Sequence, residues 1–508
     1  MHWLYLNSEE PPEFLESISS IQQSNNYAVF DKVFAGQKIK FYYDTREWET
    51  VPYVEDQKEF IFVCGWFILG TNKNDIYGLL KSIREIGLSK VLNSISIGVF
   101  VGGYFDGESL VMFNDAFSLS HHFVSISGGH LKIAPTIESL IEKEDLPDDN
   151  RSDFLTKFRY LLGNDTLFPS VQRFPPGTIL YEQNAQFVPY LKFFTRKPIH
   201  PEEVPEVINN LCGYWTSGSR SLALSSGFDS RLIYSQAEFG FVYTWGPENS
   251  ADRKVAEKLF KEKGDPDSNY LGFRFHRNSV SVPYQVINES LVFGAKLPAN
   301  INLILNYGYA ADNADKAYVS FDGYLGDVLQ QGSYLKGKGV LYETLLLFPK
   351  FFSLLKPDSV GLLNVRYKGF FDYANGKYQE FLDFYDLKDS AESFNLFEIL
   401  YGRGTRFIIN GGLVLNGVYN VVVPVFMHRE IFDSLAQCRS IDLLSRKIMK
   451  RIWRDIPFNF KVLRSEHFYN LYTPNWLIPF FAFFGKVATH SIPYFYNYTK
   501  ERPVSKRR

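Results

Sequence analysis

One short stretch has the residue types and spacing for chemistry. "LALSSGFDSRL", from Leu222 to Leu232, is an apolar run, then a small-residue elbow that contains Asp229, then the start of a helical pattern. Such an elbow can be a plain turn. It can also be a cradle whose backbone N–H groups point at a phosphate, because a helix start leaves its first amides without partners. Gly227 lets the main chain come close to a ligand, and Ser225, Ser226 and Ser230 add hydroxyl donors. No Lys follows the glycine, so the G-x-x-x-x-G-K-[ST] phosphate loop is excluded.

The elements around the elbow predict where it stands. "SLALS" reads as a strand, "SRLIYSQAEF" as a helix and "FVYTWG" as a strand. "SADRKVAEKLFKEKG" is a helix with Ser250 as N-cap and Gly264 beyond its end, and "NYLGFRFH" is another strand. This alternation predicts a parallel sheet wrapped by helices, with the elbow at a strand's carboxyl end, where ligands of open α/β sheets sit. From about residue 340 onward helical patterns dominate.

The first 190 or so residues read differently. "EFIFVCGWFILG" (59–70), "SISIGVFVGGYFDGESLVMFND" (94–115) and "HHFVSISGGHLKIA" (121–134) are strand-like with Gly and Asp-Gly turns, and 75–93 is an amphipathic helix between them. Strands with one inserted helix predict an α+β sandwich. The polar, proline-rich stretch 195–207 is the candidate linker. The domains expected are therefore 1–194, 208–470 and an aromatic, basic extension over 471–508.

Bulk composition narrows the class. At 508 residues, with 45% hydrophobic and 22% charged residues, the chain can build more than one globular core. Aromatics reach 17%, which fits either a biased genome or Phe-filled cores. A net charge of −2 gives nucleic-acid binding no support. Three scattered cysteines, Cys64, Cys212 and Cys438, match no metal spacing and fit a reducing compartment. The N-terminus does not read as a signal peptide and no long apolar run suggests a span, so a cytoplasmic protein is expected.

Several motifs together resemble the asparagine synthetase family. The elbow is similar to its S-G-G-x-D-S pyrophosphate loop, with Ser226 replacing the first Gly. "YTWGPENSADRKVAEKL" resembles its second ATP segment, including Asp252, and "SFDGYLGDVLQQGSYL" (320–335) resembles its S-G-x-G-x-D-E-x-x-x-G motif. There Gly323, Gly326, Asp327 and Gly332 match, while Asp322 replaces Ser and Val328 replaces Glu. "YLLGNDTLFPSVQRFPPGTILY" (160–181) looks like the segment closing that family's glutaminase-like domain, and 406–435 looks like the helix leading to its P-F-L-D segment.

The resemblance implies an Ntn-hydrolase-like α+β sandwich followed by an ATP-pyrophosphatase α/β domain (adenine nucleotide alpha hydrolase-like) with a helical C-terminal part. It implies ATP and Mg²⁺, adenylation of a carboxylate with release of pyrophosphate, and attack by ammonia or an amine. Asp229 and Asp327 match the magnesium-associated aspartates, and two carboxylates from separate loops suit a hard cation that keeps several waters. Leu224, Trp245 and Gly323 match positions that hold the adenosine, beside Ser225, Ser226, Gly227 and Ser230 at the phosphates. Asparagine or surface-polysaccharide biosynthesis are the settings that resemblance suggests, the latter with a sugar carboxylate.

The departures are specific. Met1 is followed by His2 where glutamine-using members carry a nucleophilic Cys, and Cys64 lies inside an apolar strand, so a glutaminase fold without glutaminase chemistry is expected. β-Lactam synthetases and lasso-peptide cyclases share that loss. Asn420 stands where an active-site Glu is expected, Val422 where an Arg is, and His428 for the Asp. Lys461 and Arg464 are candidates for the late polyphosphate Lys, and Glu398 or Glu430 for a relocated base. The aromatic C-terminal segment fits either packing on the synthetase-like domain or contact with a membrane or a partner. Two functions stand: an amide-forming ligase, or a catalytically idle nucleotide-binding scaffold derived from one.

Overall fold

The N-terminal strands pair antiparallel, both where a short turn joins them and where they come from distant parts of the sequence. In the computed structural model, residues 3–9, 26–127, 130–274, 301–336, 358–465, 469–478 and 480–481 are described. The strands of the first part are β1 (Trp3–Leu6), β2 (Tyr27–Phe34), β3 (Gln37–Asp44), β4 (Tyr53–Asp56), β5 (Glu59–Leu69), β6 (Asn72–Lys73) and β7 (Ile95–Phe105). They continue with β8 (Leu110–Asn114), β9 (Phe123–Ser127), β10 (His130–Ala134), β11 (Val171–Arg173), β12 (Thr178–Tyr181) and β13 (Gln186–Pro189). One sheet runs β11-β9-β10-β1-β3-β2, the other β13-β12-β8-β7-β5-β4, with β6 on β5.

The period-two pattern of β5 shows how the layers stack. Phe60, Phe62 and Cys64 enter the core between the two sheets, with Phe41 and Val124 of the facing sheet. Ile61 and Val63 enter a second core, shared with Leu79 and Ile83 of the Ile76–Ile86 helix. The layers are thus sheet, sheet, helix. The inserted helix is broken: Gly87, at φ 87, divides Ile76–Ile86 from Leu88–Ser94. A side chain is disfavoured at that dihedral, so the glycine sets the break.

The expected linker is only partly one. Residues Pro201–Glu203 form a 3-10 turn, with the His200 N–H donating to Glu203 at 2.8 Å, and lead into the Val204–Cys212 helix. Prolines at the first positions of these turns start structure rather than interrupt it, since their missing N–H is not needed there. Ile208 and Leu211 then join the same core as Leu79 on one side and Leu222 on the other.

The second sheet system is parallel, as expected. It comprises β14 (Arg220–Ala223), β15 (Phe241–Trp245), β16 (Asn269–Phe273), β17 (Val319–Asp322) and β18 (Val421–Pro424), in the order β16-β15-β14-β17-β18. The chain lays β14, β15 and β16 outward, then returns to place β17 on the free side of β14. The order therefore reverses between β14 and β17, and the loops leaving these neighbours diverge there. Ser250 caps the Ala251–Lys263 helix by accepting from the Arg253 N–H, and Gly264 at φ 64 ends it.

The C-terminal part is helical, with one difference inside 406–435. That stretch holds most of a π-helix (Gly404–Val414) continued by a helical turn (Leu415–Gly417), so a helix does lead to the Pro424 segment, but β18 and the Arg429–Ala436 helix fill the rest. Three consecutive β-branched valines favour the extended pairing with β17. Residues 482–508 of the aromatic extension lie outside the described residues, as do Met1 and His2. Among the described residues no helix is long and apolar enough to cross a membrane.

Candidate functional site

The elbow leaves β14 at the switch between β14 and β17. Leu224 is buried and donates its N–H to the Tyr243 carbonyl at 2.9 Å, which fixes the loop's first step. The next three amides find partners within the protein. The Ser225 N–H donates to Ser230 Oγ at 3.1 Å, the Ser226 N–H to Asp252 at 2.8 Å and the Gly227 N–H to Ser225 Oγ at 3.1 Å. Ser226 Oγ also donates to Asp252 at 2.6 Å. The Phe228–Gln236 helix then begins at Gly227 with no side-chain cap. The amides of its first turn are the ones the elbow can offer an anion.

Asp229 sits on that first turn and faces the loop after β17. Its carboxylate accepts from Gln330 Nε2 at 2.9 Å and from the Asp327 backbone N–H. The contact is close enough to demand glycine. A Cβ on Gly326 would lie 2.4 Å from Asp229 Cγ, and one on Gly323 would lie 2.9 Å from Asp229 Cβ. Burial first, then the Asp327 carboxylate, hold the Asp229 carboxyl well above the ordinary range. Asp322, at the end of β17, is pushed up to about 7 by burial, although its carboxylate accepts from the Tyr324 N–H at 3.0 Å. Asp327 is exposed. Among the described residues no three His, Cys, Asp or Glu side chains gather as a metal site. The arrangement is two acids on adjoining loops, next to the open start of a helix.

The other expected residues divide. Trp245 ends β15, half-buried against Tyr243 and edge-on to Tyr307 at 5.3 Å. Lys461 and Arg464 belong to a segment tied to the elbow through Arg231, whose guanidinium donates to the carbonyls of Phe460 (3.1 Å) and Leu463 (2.8 Å), and also to those of Ser226 and Gly227. Lys461 itself donates to the Arg454 carbonyl at 2.7 Å, and Arg464 is exposed.

Asn420, expected in the cleft, precedes β18 and so stands at the amino end of the sheet. It is 5% exposed, donates to Asn416 Oδ1 at 2.9 Å, and Asn416 donates to Ser320 Oγ at 2.9 Å. Val422 is buried within β18, and burial pushes His428 down to about 4. Of the two candidate bases, Glu398 is fully buried, paired with Arg366 at 2.9 Å and accepting from Tyr367 at 2.6 Å. Glu430 is exposed on the helix after β18.

Sequence reasoning missed Arg231, Gln330 and the role of Asp322. Arg231 and Gln330 are buried polar residues that each bond to a segment about a hundred positions or more away, and spacing carries no sign of those bonds. A cavity of about 650 Å³ opens beside Asp327, lined also by Leu325, Val328, Tyr334, Arg366 and Arg403. A larger depression of about 760 Å³ borders Arg220, at the amino end of β14 and so away from the elbow. The chain matches no protein-family model and none of the curated proteins.

Proposed function

We propose that the chain is an asparagine-synthetase-like, ATP-dependent amide-forming ligase, with an Ntn-hydrolase-like sandwich preceding an ATP-pyrophosphatase-like sheet. One observation carries the reading: the elbow after β14 and the glycine loop after β17 meet at the switch point, with Gly323 and Gly326 packed onto Asp229. That is where an α/β sheet of this order binds nucleotides. Burial and a second carboxylate raise the Asp229 pKa well above the ordinary carboxylate range, and a divalent cation would offset both. Asp229 and Asp327 would hold Mg²⁺ with ATP, and the cation would supply charge stabilisation to the departing pyrophosphate. The acceptor carboxylate oxygen attacks the α-phosphorus, pyrophosphate leaves, and ammonia or an amine then displaces AMP.

The described cysteines lend no support to glutamine hydrolysis. Cys64 is fully buried and burial pushes its thiol well up, which removes the thiolate a nucleophile needs. The amine would then come from solution or from the substrate.

A second reading, a nucleotide-binding scaffold without catalysis, is favoured by the amides of Ser225, Ser226 and Gly227, whose partners are internal. Pyrophosphate release from ATP, measured over a panel of amino acids and uronic acids, separates the two. Release with one acid supports the ligase. No release with any, while Mg-ATP still raises the melting temperature, supports the scaffold, and no thermal shift at all returns the elbow to a plain turn.

A further inference from the structure

The depression of about 760 Å³ lies at the opposite end of the parallel sheet from the elbow, and the ligase reading makes no use of it. It opens on the seam between the two parts of the chain. Thr71, from the turn between β5 and β6, lines one side, and Tyr214 beside it donates its hydroxyl to the Gly70 carbonyl at 3.3 Å. Three helices end around it: Val204–Cys212 brings Asn210, Phe228–Gln236 brings Gln236, and Ala251–Lys263 brings Lys263. Arg220 enters from the start of β14. Lys263 donates to the carbonyls of Tyr234, at 2.8 Å, and Ala237, which answers the carbonyl end of the second helix and leaves one N–H. The Arg220 guanidinium lies beside the Cys212 thiol, and its buried Nε has no hydrogen-bond partner among the described residues. Neither cation makes an ion pair among the described residues. Burial lowers the Lys263 pKa, Asp265 and Glu238 oppose that lowering, and the charge of Arg220 adds to it, so the two cations are near enough to repel. A buried donor without a partner is costly unless something arrives to pair with it.

We propose that this depression binds a phosphate monoester of a small polyhydroxylated molecule, held by Arg220 and Lys263 at the seam between the two parts of the chain. A phosphate monoester carries close to two negative charges at neutral pH, which matches two cations that lack a carboxylate. The guanidinium takes phosphate oxygens in pairs, and the remaining Lys263 N–H takes another. Thr71, Asn210 and Gln236 offer donors and acceptors for the hydroxyls of the ligand's body, and the volume leaves room for that body beyond the phosphate. Thr71 belongs to the first part and Lys263 to the second, so an occupant bridges them. Its contact with Gln236 and Lys263 bears on the last turn of the helix whose first turn carries Asp229.

Calorimetric titration of the full chain with ribose 5-phosphate tests this, with ribose and inorganic phosphate as controls. The ester is expected to bind about fivefold or more tighter than either control. Arg220→Gln and Lys263→Gln are each expected to weaken it by about fivefold or more, with Arg220→Lys retaining part of the affinity. Glu238 is exposed and acts on Lys263, so Glu238→Gln removes a competing charge without disturbing the fold and is expected to tighten binding about twofold. The titration is repeated with Mg²⁺ and a non-hydrolysable ATP analogue in excess, and the affinity for ribose 5-phosphate is expected to stay the same. Competition by the analogue would place the phosphate at the elbow and overturn the assignment. No binding of the ester, a control binding as tightly as the ester, or indifference to both Arg220→Gln and Lys263→Gln would overturn it as well.

Discussion

Replacing Asp322 by Asn should stabilise the protein, and by an amount that depends on pH. Burial raises the carboxyl from 3.8 to about 7. Between those values the folded chain keeps a proton that the unfolded chain releases. Stability is therefore fully present below the unfolded value, is lost as pH rises toward 7, and stays lost above it. A difference of about 3 units corresponds to about 4 kcal/mol at 1.36 kcal/mol per unit. Asp322 keeps some exposure, and screening by solvent halves this to about 2 kcal/mol. At about 2.1 cal/mol/K per residue, a chain of 508 residues has an unfolding entropy near 1 kcal/mol/K, so the expected gain is about 2 °C. The substituted amide still accepts from the Tyr324 N–H, so the loop keeps its shape. Differential scanning calorimetry without divalent cations, from pH 5 to pH 8, should show the advantage of Asp322→Asn roughly doubling by pH 7 and then levelling. An equal advantage at pH 5 and pH 8, or a less stable variant at pH 8, would refute the reasoning.

Three further perturbations have defined outcomes. Asp229→Ala should diminish the rise in melting temperature produced by Mg-ATP, and an undiminished rise would count against the metal role. Gly326→Ala puts a methyl 2.4 Å from Asp229 Cγ and 2.7 Å from Phe426, so it should cost about 1–3 kcal/mol and abolish the Mg-ATP shift. Asn420→Glu brings a carboxylate to a 5%-exposed position beside the Asn416 carbonyl oxygen, and should destabilise by about 2–4 kcal/mol. An unchanged melting curve for that variant would mean the position is open to water.

The parts of the fold legible in the sequence are those encoded locally. The strands around Cys64 and Val101 announced themselves by apolar runs that end in glycine-bearing turns, and the Ala251–Lys263 helix by its Ser250 cap and Gly264 stop. The elbow was legible because serines and a glycine interrupt an apolar run before a helix start. β18 was not, because Val421–Pro424 is four residues long and adjoins helical apolar runs, where periodicity cannot separate strand from helix. The placement of Asn420 followed the same fate, since one strand's position moves it to the far end of the sheet. The cationic lining of the cavity beside Asp327 was invisible for another reason. Lys157 and Arg403 come to line one cavity only through tertiary packing, and each alone reads as surface charge.

Arg231 gives the elbow an unusual dependence. Its guanidinium holds the carbonyls of Ser226 and Gly227 on one side and those of Phe460 and Leu463 on the other. The loop's curvature is thus specified by atoms more than two hundred positions downstream as well as by its own glycine. A polypeptide emerging in order would possess the elbow's residues long before it possessed the anchor, and could settle its geometry only once the late segment arrived. The same tether joins the two segments through main-chain atoms: a displacement of the backbone at Phe460 or Leu463 is passed to Gly227 through one guanidinium, whichever side chains those two positions carry.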